Sequence, residues 1–171
     1  MPRPLRGEWG IPMELPKRKP IRLPDYDYSS PGAYFVTICT HDRRCLLSRI
    51  TVGADALGGP QVQLTDAGKN VEHYILSSDR MAGLWVDKYV VMPNHIHLIM
   101  RIENGPPRAS APTVSDAVGA IKRLVNRRLG HDIWQRSFHE HVIRNENDYR
   151  EIWEYIEANP AKWAEDRYYK Q

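Results

Sequence analysis

A chain of 171 residues with 24 lysines and arginines against 21 acids, a net charge of +3 and 42% hydrophobic residues is long enough for one domain with a real core and too short for two comfortable ones. Cys39 and Cys45 are too few for a disulfide scaffold or a cysteine metal site. The expectation is a cytoplasmic protein with reduced thiols, without a signal peptide, a membrane span or a membrane partner.

Residues 1–24 are rich in proline and basic side chains without hydrophobic periodicity and read as an extended arm, leaving 25–171 as a single domain. DYDYSSPG is a turn-rich entry to AYFVTICT, Ala33 to Thr40, whose β-branched and aromatic residues predict a strand. His41 to Arg44 begin a polar connection, and GADALGGPQ reads as loop. Thr65 or Asp66 caps a first helix running to about Ser78, with Ala67, Val71, Tyr74 and Ile75 at helical spacing. LWVDKYVVM and HIHLIMRI form a hairpin around Pro93-Asn94, and ENGPPRASAPT is a proline-rich loop. Thr113 or Ser115 caps a second helix with the apolar stripe Val118, Ile121, Leu124, Val125 and Leu129, ending at Gly130. IWQRSFHEHVIR reads as a strand, and Asn145 or Asn147 opens a last helix that Pro160 stops. Its buried stripe is expected to be Tyr149, Ile152, Trp153 and Ile156.

Strand, helix, strand, strand, helix, strand and an added helix is the order of an α+β, ferredoxin-like split βαβ antiparallel sheet, with two helices on one face. In VVMPNHIHLIM, Val90 to Met100, alternation sends His95 and His97 to one face and Ile96, Leu98 and Met100 to the other. The apolar face must be core. The imidazoles would then sit on the open face, under the C-terminal helix, either as metal ligands or as structural histidines. His139 and His141 repeat the spacing in a more polar context, so the first pair is the better candidate. On the last helix, Tyr155 and Asn159 are four residues apart, and a phenol and an amide there can reach one point. Tyr155 can equally be a packing residue, and Asn159 a helix end imposed by Pro160. Basic residues cluster at Lys122, Arg123, Arg127 and Arg128, with Arg136 and Arg144 further on. Such a face attracts phosphate, or is simply solvated.

MPNHIHLIM followed by a helix reading EYIEANP resembles the single-tyrosine HUH transposases. RLPDYDYSSPGAYFVTICT and WQRSFHEHVIRNENDYREIWEYIEANP are similar to their REP-associated tyrosine transposase branch, over about Arg22 to Lys162. The resemblance implies His95 and His97 as metal ligands, Asn159 as the helix's polar ligand and Tyr155, which the added C-terminal helix carries, as nucleophile. It also implies cleavage and rejoining of single-stranded DNA, on hairpin or repeat sequences, through a 5′-phosphotyrosine. Asparagine stands where some relatives have glutamine and is a methylene shorter. The implied cofactor is a divalent metal, Mg²⁺ or Mn²⁺, with imidazole slightly favouring Mn²⁺. Implied partners are single-stranded or hairpin DNA, along Lys122, Arg123, Arg127, Arg128, Arg136 and Arg144; a homodimer is left open. Tyr149 is the competing phenol, but its i+4 neighbour is Trp153. Two rival readings are a non-catalytic ferredoxin-like nucleic-acid-binding protein and a small hydrolase with a metal-bound water as nucleophile.

Overall fold

The computed structural model describes residues 31–51, 59–78, 81–103 and 112–169. The expected N-terminal arm, most of GADALGGPQ and most of the proline-rich loop lie outside them. Four antiparallel strands form the main sheet: β1 (Gly32–Cys39), β4 (Leu84–Val91), β5 (His95–Ile102) and β6 (His139–Ile143). Their spatial order is β4-β5-β1-β6. β1 and β4 therefore run parallel with β5 between them, which is the split βαβ arrangement expected from the element order. The helices are α1 (Asp66–Ser77), α2 (Val114–Leu129) and α3 (Glu146–Ala158).

Alternation along β1 and β5 divides the sheet into two faces. Tyr34, Val36, Ile38, Ile96, Leu98, Met100 and Ile102 point into one core with Val71 and Ile75 of α1 and Val118, Ile121 and Val125 of α2. Full burial of each such side chain is worth about 1.5–3 kcal/mol. The opposite face carries His95, His97, Phe35 and Thr37, and α3 packs across its β4–β5 side.

Helix boundaries follow from local chemistry. The Thr65 hydroxyl accepts the Gly68 amide at 3.1 Å. Thr113 and Asp116 form a reciprocal capping box, and Gly130 closes α2 at φ 78°, a left-handed value that suits glycine. Asn145 caps α3 by accepting the Asp148 amide at 2.9 Å.

Three expectations are corrected. Only His139–Ile143 of IWQRSFHEHVIR is strand. Trp134 makes a separate bridge to Thr40, and the Lys122 ammonium takes the carbonyls of Gln135, Arg136 and Ser137, which turns this backbone out of any ladder. The connection after β1 contains a small hairpin, β2 (Ser48–Thr51) with β3 (Gln61–Leu64), hidden in sequence because it is short and faces solvent with Arg49, Gln61 and Gln63. Finally, Leu124 is 38% exposed, and on α3 only Ile156 of the expected stripe is fully buried, because that helix lies on a sheet face occupied by polar side chains. Among the described residues no helix is long and apolar enough to cross a membrane.

Thr65 docks α1 onto Leu46 and Leu47, its hydroxyl reaching the Leu46 carbonyl at 2.6 Å and its amide the Leu47 carbonyl at 3.0 Å. A Cβ on Gly68 would lie 1.9 Å from the Leu47 carbonyl oxygen, whereas one on Gly119 of α2 would meet nothing within 4 Å. Urea unfolding should register Gly68→Ala as a loss of about 3 kcal/mol and Gly119→Ala as a gain of about 0.5–1 kcal/mol.

Candidate active site

β5 delivers His95 and His97 side by side, 0% and 1% exposed. Their Nε2 atoms face each other at 3.0 Å, and each Nδ1 is anchored from behind. Asn94 Nδ2 donates to the carbonyls of Arg43 (3.2 Å) and Tyr168 (2.7 Å), so its Oδ1 is the atom left for His95 Nδ1, at 2.9 Å. Nδ1 of His95 therefore carries the proton, and Nε2 presents a lone pair. His97 Nδ1 meets the Thr37 hydroxyl at 2.8 Å. A hydroxyl both donates and accepts, so Thr37 supports either tautomer of His97. Hydrogen bonds of this kind are what would orient the imidazoles toward a metal.

Aromatic rings close around the pair. Phe35 lies 5.1 Å and Tyr155 5.3 Å from His97, and Tyr168 lies 4.6 Å and Trp163 6.0 Å from His95, centroid to centroid. The Tyr155 hydroxyl is 3.4 Å from His97 Nε2, and the residue is 42% exposed. Burial, and next the Asp166 carboxylate, push this phenol above its ordinary value of 10, while the Asn159 amide and the Arg167 guanidinium act in the opposite direction. Tyr149 is engaged elsewhere. Its hydroxyl donates to Asp87 at 3.0 Å, its ring stacks on Trp153, and burial followed by the Asp87 contact raises its pKa as well.

Asn159, 3% exposed, donates through Nδ2 to Asp166 Oδ2 at 3.2 Å, and its Oδ1 is buried with no hydrogen-bond partner among the described residues. Ligand atoms of His95, His97 and Asp166 lie within 4.8 Å of one another. Asp166 was missed in the sequence. It sits in a charged segment after the last helix, with no periodicity or motif to distinguish it from a solvated acid.

This donor set fits a divalent cation. Two Nε2 atoms 3.0 Å apart match the cis edge, about 3 Å, of an octahedron with ligands at about 2.1 Å. An orphaned amide oxygen, costly to bury unpaired, is the kind of group that a cation satisfies. A cavity of about 630 Å³ opens onto the cluster, lined among others by Tyr155, Asn159 and Asp166.

The basic residues are dispersed. Lys122 is partly buried, its ammonium donating to three carbonyls, and burial lowers its pKa. Arg123, Arg127 and Arg128 are exposed on α2, with the sheet between that helix and the histidine pair; Arg136 and Arg144 are exposed at the two ends of β6. His139 and His141 share the sheet face of the first pair but stand exposed on edge strand β6, beyond β1, and His141 pairs with Asp148 at 3.1 Å. Arg43 and Arg167 reach the site, stacked over Tyr168 at 5.1 and 4.7 Å.

No family model matches the chain. It is 32% identical to an uncharacterized protein of Haemophilus influenzae, over 89% of this chain and 93% of that one. It is 28% identical to the REP-associated tyrosine transposase of Escherichia coli K12, over 79% and 70%. A solved structure described as the REP-associated tyrosine transposase bound to a REP hairpin superposes with a TM-score of 0.59 at 28% identity, covering 80% of this chain and 71% of that one. The named relative and the shared fold define the class, that of the tyrosine transposases. Within it, the chain belongs to the REP-associated tyrosine transposase family.

Burial pushes His95 down to about 4 and His97 well below the ordinary 6.5. The folded protein thus keeps both imidazoles neutral where the unfolded chain protonates them. Above pH 6.5 neither state binds these protons and the pair leaves stability flat; as pH falls from 6.5 toward 4 the unfolded state binds more, and stability is lost. Metal-free protein should lose about 2 kcal/mol or more between pH 7 and 4.5 in urea unfolding, and His95→Gln should show a smaller loss.

Proposed function

We propose that this protein cleaves and rejoins single-stranded DNA at a hairpin, with Tyr155 as nucleophile and with a divalent cation held by His95, His97 and Asn159. The observation that carries the reading is the Tyr155 hydroxyl, 3.4 Å from His97 Nε2 at the mouth of a buried, neutral imidazole pair. The hairpin is named because a structural neighbour was solved with a REP hairpin bound.

In the proposed step the phenol oxygen bonds to the scissile phosphorus, the P–O3′ bond breaks, and the 3′ oxygen leaves with a proton. The 5′ phosphate stays on Tyr155. Attack by a 3′-OH on the phosphotyrosine reverses the step and needs no external energy source, because the ester keeps the bond energy of the cut strand. Tyr155 is partly exposed, so its proton has a direct path to water.

Electrostatics set the main difficulty. The cavity lining holds Glu151, Glu154, Glu165 and Asp166 against Lys162 and Arg167, so a phosphate would enter against net negative charge, and the phenol is harder to ionise than in water. A divalent cation held by His95, His97 and Asn159 would supply the counter-charge for the phosphate and for the developing phenolate. Neutral imidazoles accept it without first releasing protons. Arg123, Arg127 and Arg128 on α2, with Arg136 and Arg144, are the proposed contacts to duplex or flanking phosphates away from the reacting bond.

Incubation with labelled hairpin DNA carrying a single-stranded flank, with Mn²⁺ or Mg²⁺, should yield a covalent adduct on the peptide containing EYIEANP in mass spectrometry. Tyr155→Phe should bind DNA and lower cleavage at least about 10³-fold, while Tyr149→Phe cuts. His95→Ala or His97→Ala should abolish metal-dependent cutting, and His139→Ala should retain most of it. Undiminished cutting by Tyr155→Phe, with free 5′ phosphates, would move the chemistry to a metal-bound water. DNA binding without any adduct in the native protein would leave a binding module.

Binding, measured by fluorescence anisotropy, should weaken steeply with salt because phosphate contacts release counterions. Arg123→Ala with Arg127→Ala should reduce both affinity and the salt slope, by roughly one unit per contact, without changing the cleavage rate of saturated complexes.

A further inference from the structure

We propose that Asp166 is an additional ligand of the metal, so that the segment after α3 is part of the metal centre rather than a tail lying over it. The inference rests on the reading of His95 and His97 as ligands and extends it to a residue outside the HUH pair and the tyrosine helix.

The geometry is built, not incidental. Helix α3 ends at Ala158, and the chain turns back through a 3₁₀ turn at Trp163–Glu165, which brings Asp166 seven residues after Asn159 to the same point. Its ligand atom lies within 4.8 Å of those of both imidazoles. Four contacts hold it there. Asp166 Oδ1 accepts the Tyr168 amide at 2.7 Å, and Oδ2 accepts Asn159 Nδ2 at 3.2 Å. The Arg167 carbonyl accepts from Arg43 Nη1 at 3.1 Å, and the Tyr168 carbonyl from Asn94 Nδ2 at 2.7 Å. Asn94 is the same residue that orients His95. One side chain therefore sets a ligand imidazole and pins the segment that carries the carboxylate.

The chemistry calls for such a group. Two imidazoles and an amide are all neutral, and a dication among them would keep its full charge in a site where both imidazoles are buried. A carboxylate halves that charge and adds the hard oxygen donor that Mg²⁺ and Mn²⁺ prefer. The unpartnered Oδ1 of Asn159, whose Nδ2 already bonds Asp166, supplies the neighbouring oxygen donor. Metal binding should then tie the end of α3 and the following segment together.

The test measures Mn²⁺ affinity without DNA, by calorimetry and by electron paramagnetic resonance of free Mn²⁺, on the full chain and on Asp166→Asn, Asp166→Ala and His95→Ala. Asp166→Asn and Asp166→Ala should bind roughly tenfold or more weakly, with unchanged near-UV circular dichroism, and His95→Ala should not bind. A second measurement uses only the native sequence: Mn²⁺ should slow tryptic cleavage after Arg167, next to the ligand. Native affinity in Asp166→Asn with binding lost in His95→Ala would overturn the assignment and leave the proposed function standing. Absence of Mn²⁺ binding by the native chain would remove both. If the Asp166 variants misfold, a tryptic rate after Arg167 indifferent to Mn²⁺ would overturn it alone.

Discussion

Two imidazoles buried with their Nε2 atoms 3.0 Å apart are a constraint that the surrounding structure must satisfy. Burial disfavours a proton's charge on either ring, and each Nδ1 needs a partner, because an unpaired buried polar atom costs about 1–3 kcal/mol. Thr37 meets this need from β1 and Asn94 from the β4–β5 turn. Both depend on register. Thr37 stands opposite His97 and Cys39 opposite His95. A slip of one residue would send Thr37 into the apolar core and bring Val36 or Ile38 against the imidazoles. The hydrophobic face of the sheet thus positions the polar face, since the burial of Val36, Ile38, Ile96 and Leu98 is what specifies the pairing.

The same demand extends to the end of the chain. Asn94 orients His95 only because its amide hydrogens are taken by the Arg43 and Tyr168 carbonyls. The Arg43 carbonyl comes from a short turn in which Asp42 and Arg43 adopt positive φ of 53° and 54°, a conformation that is uncommon without glycine. Strain of this kind persists where neighbouring contacts overdetermine it. Here the contacts are Thr40 Oγ1 to the Arg44 carbonyl, Asn94 to the Arg43 carbonyl, and the Arg43 guanidinium to the Arg167 carbonyl. A strained loop, an oriented imidazole and the segment bearing Asp166 form one connected network.

Charge is divided across the molecule in a way that net charge conceals. The cavity beside Tyr155 is predominantly acidic, and the exposed arginines of α2 belong to the layer behind the sheet. Attraction of a phosphate backbone and chemistry at one phosphate are consequently assigned to different surfaces. In the proposed function a cation at the imidazole pair would reconcile an acidic cavity with a polyanionic substrate, while remote arginines would act on affinity and on its salt dependence.

Periodicity and turn chemistry were sufficient to determine the four strands of the main sheet, the three helices and their order: alternation in VVMPNHIHLIM, helical spacing after Thr65 and Thr113, and the stops at Gly130 and Pro160 are local signals with local causes. The same alternation assigned His95 and His97 to one face, and i+4 spacing aligned Tyr155 with Asn159. Tertiary structure alone decided what depends on distant residues meeting. Examples are the Lys122 ammonium gathering three carbonyls and cutting short the last strand, the β2–β3 hairpin, and the removal of α2's arginines to the far side of the sheet. Asp166 belongs to the same group. Nothing in AEDRYY distinguishes that acid from its neighbours, because its place beside His95 and His97 is set by Arg43, Asn94 and Asn159, contacts spanning up to 124 residues of chain that no local pattern encodes.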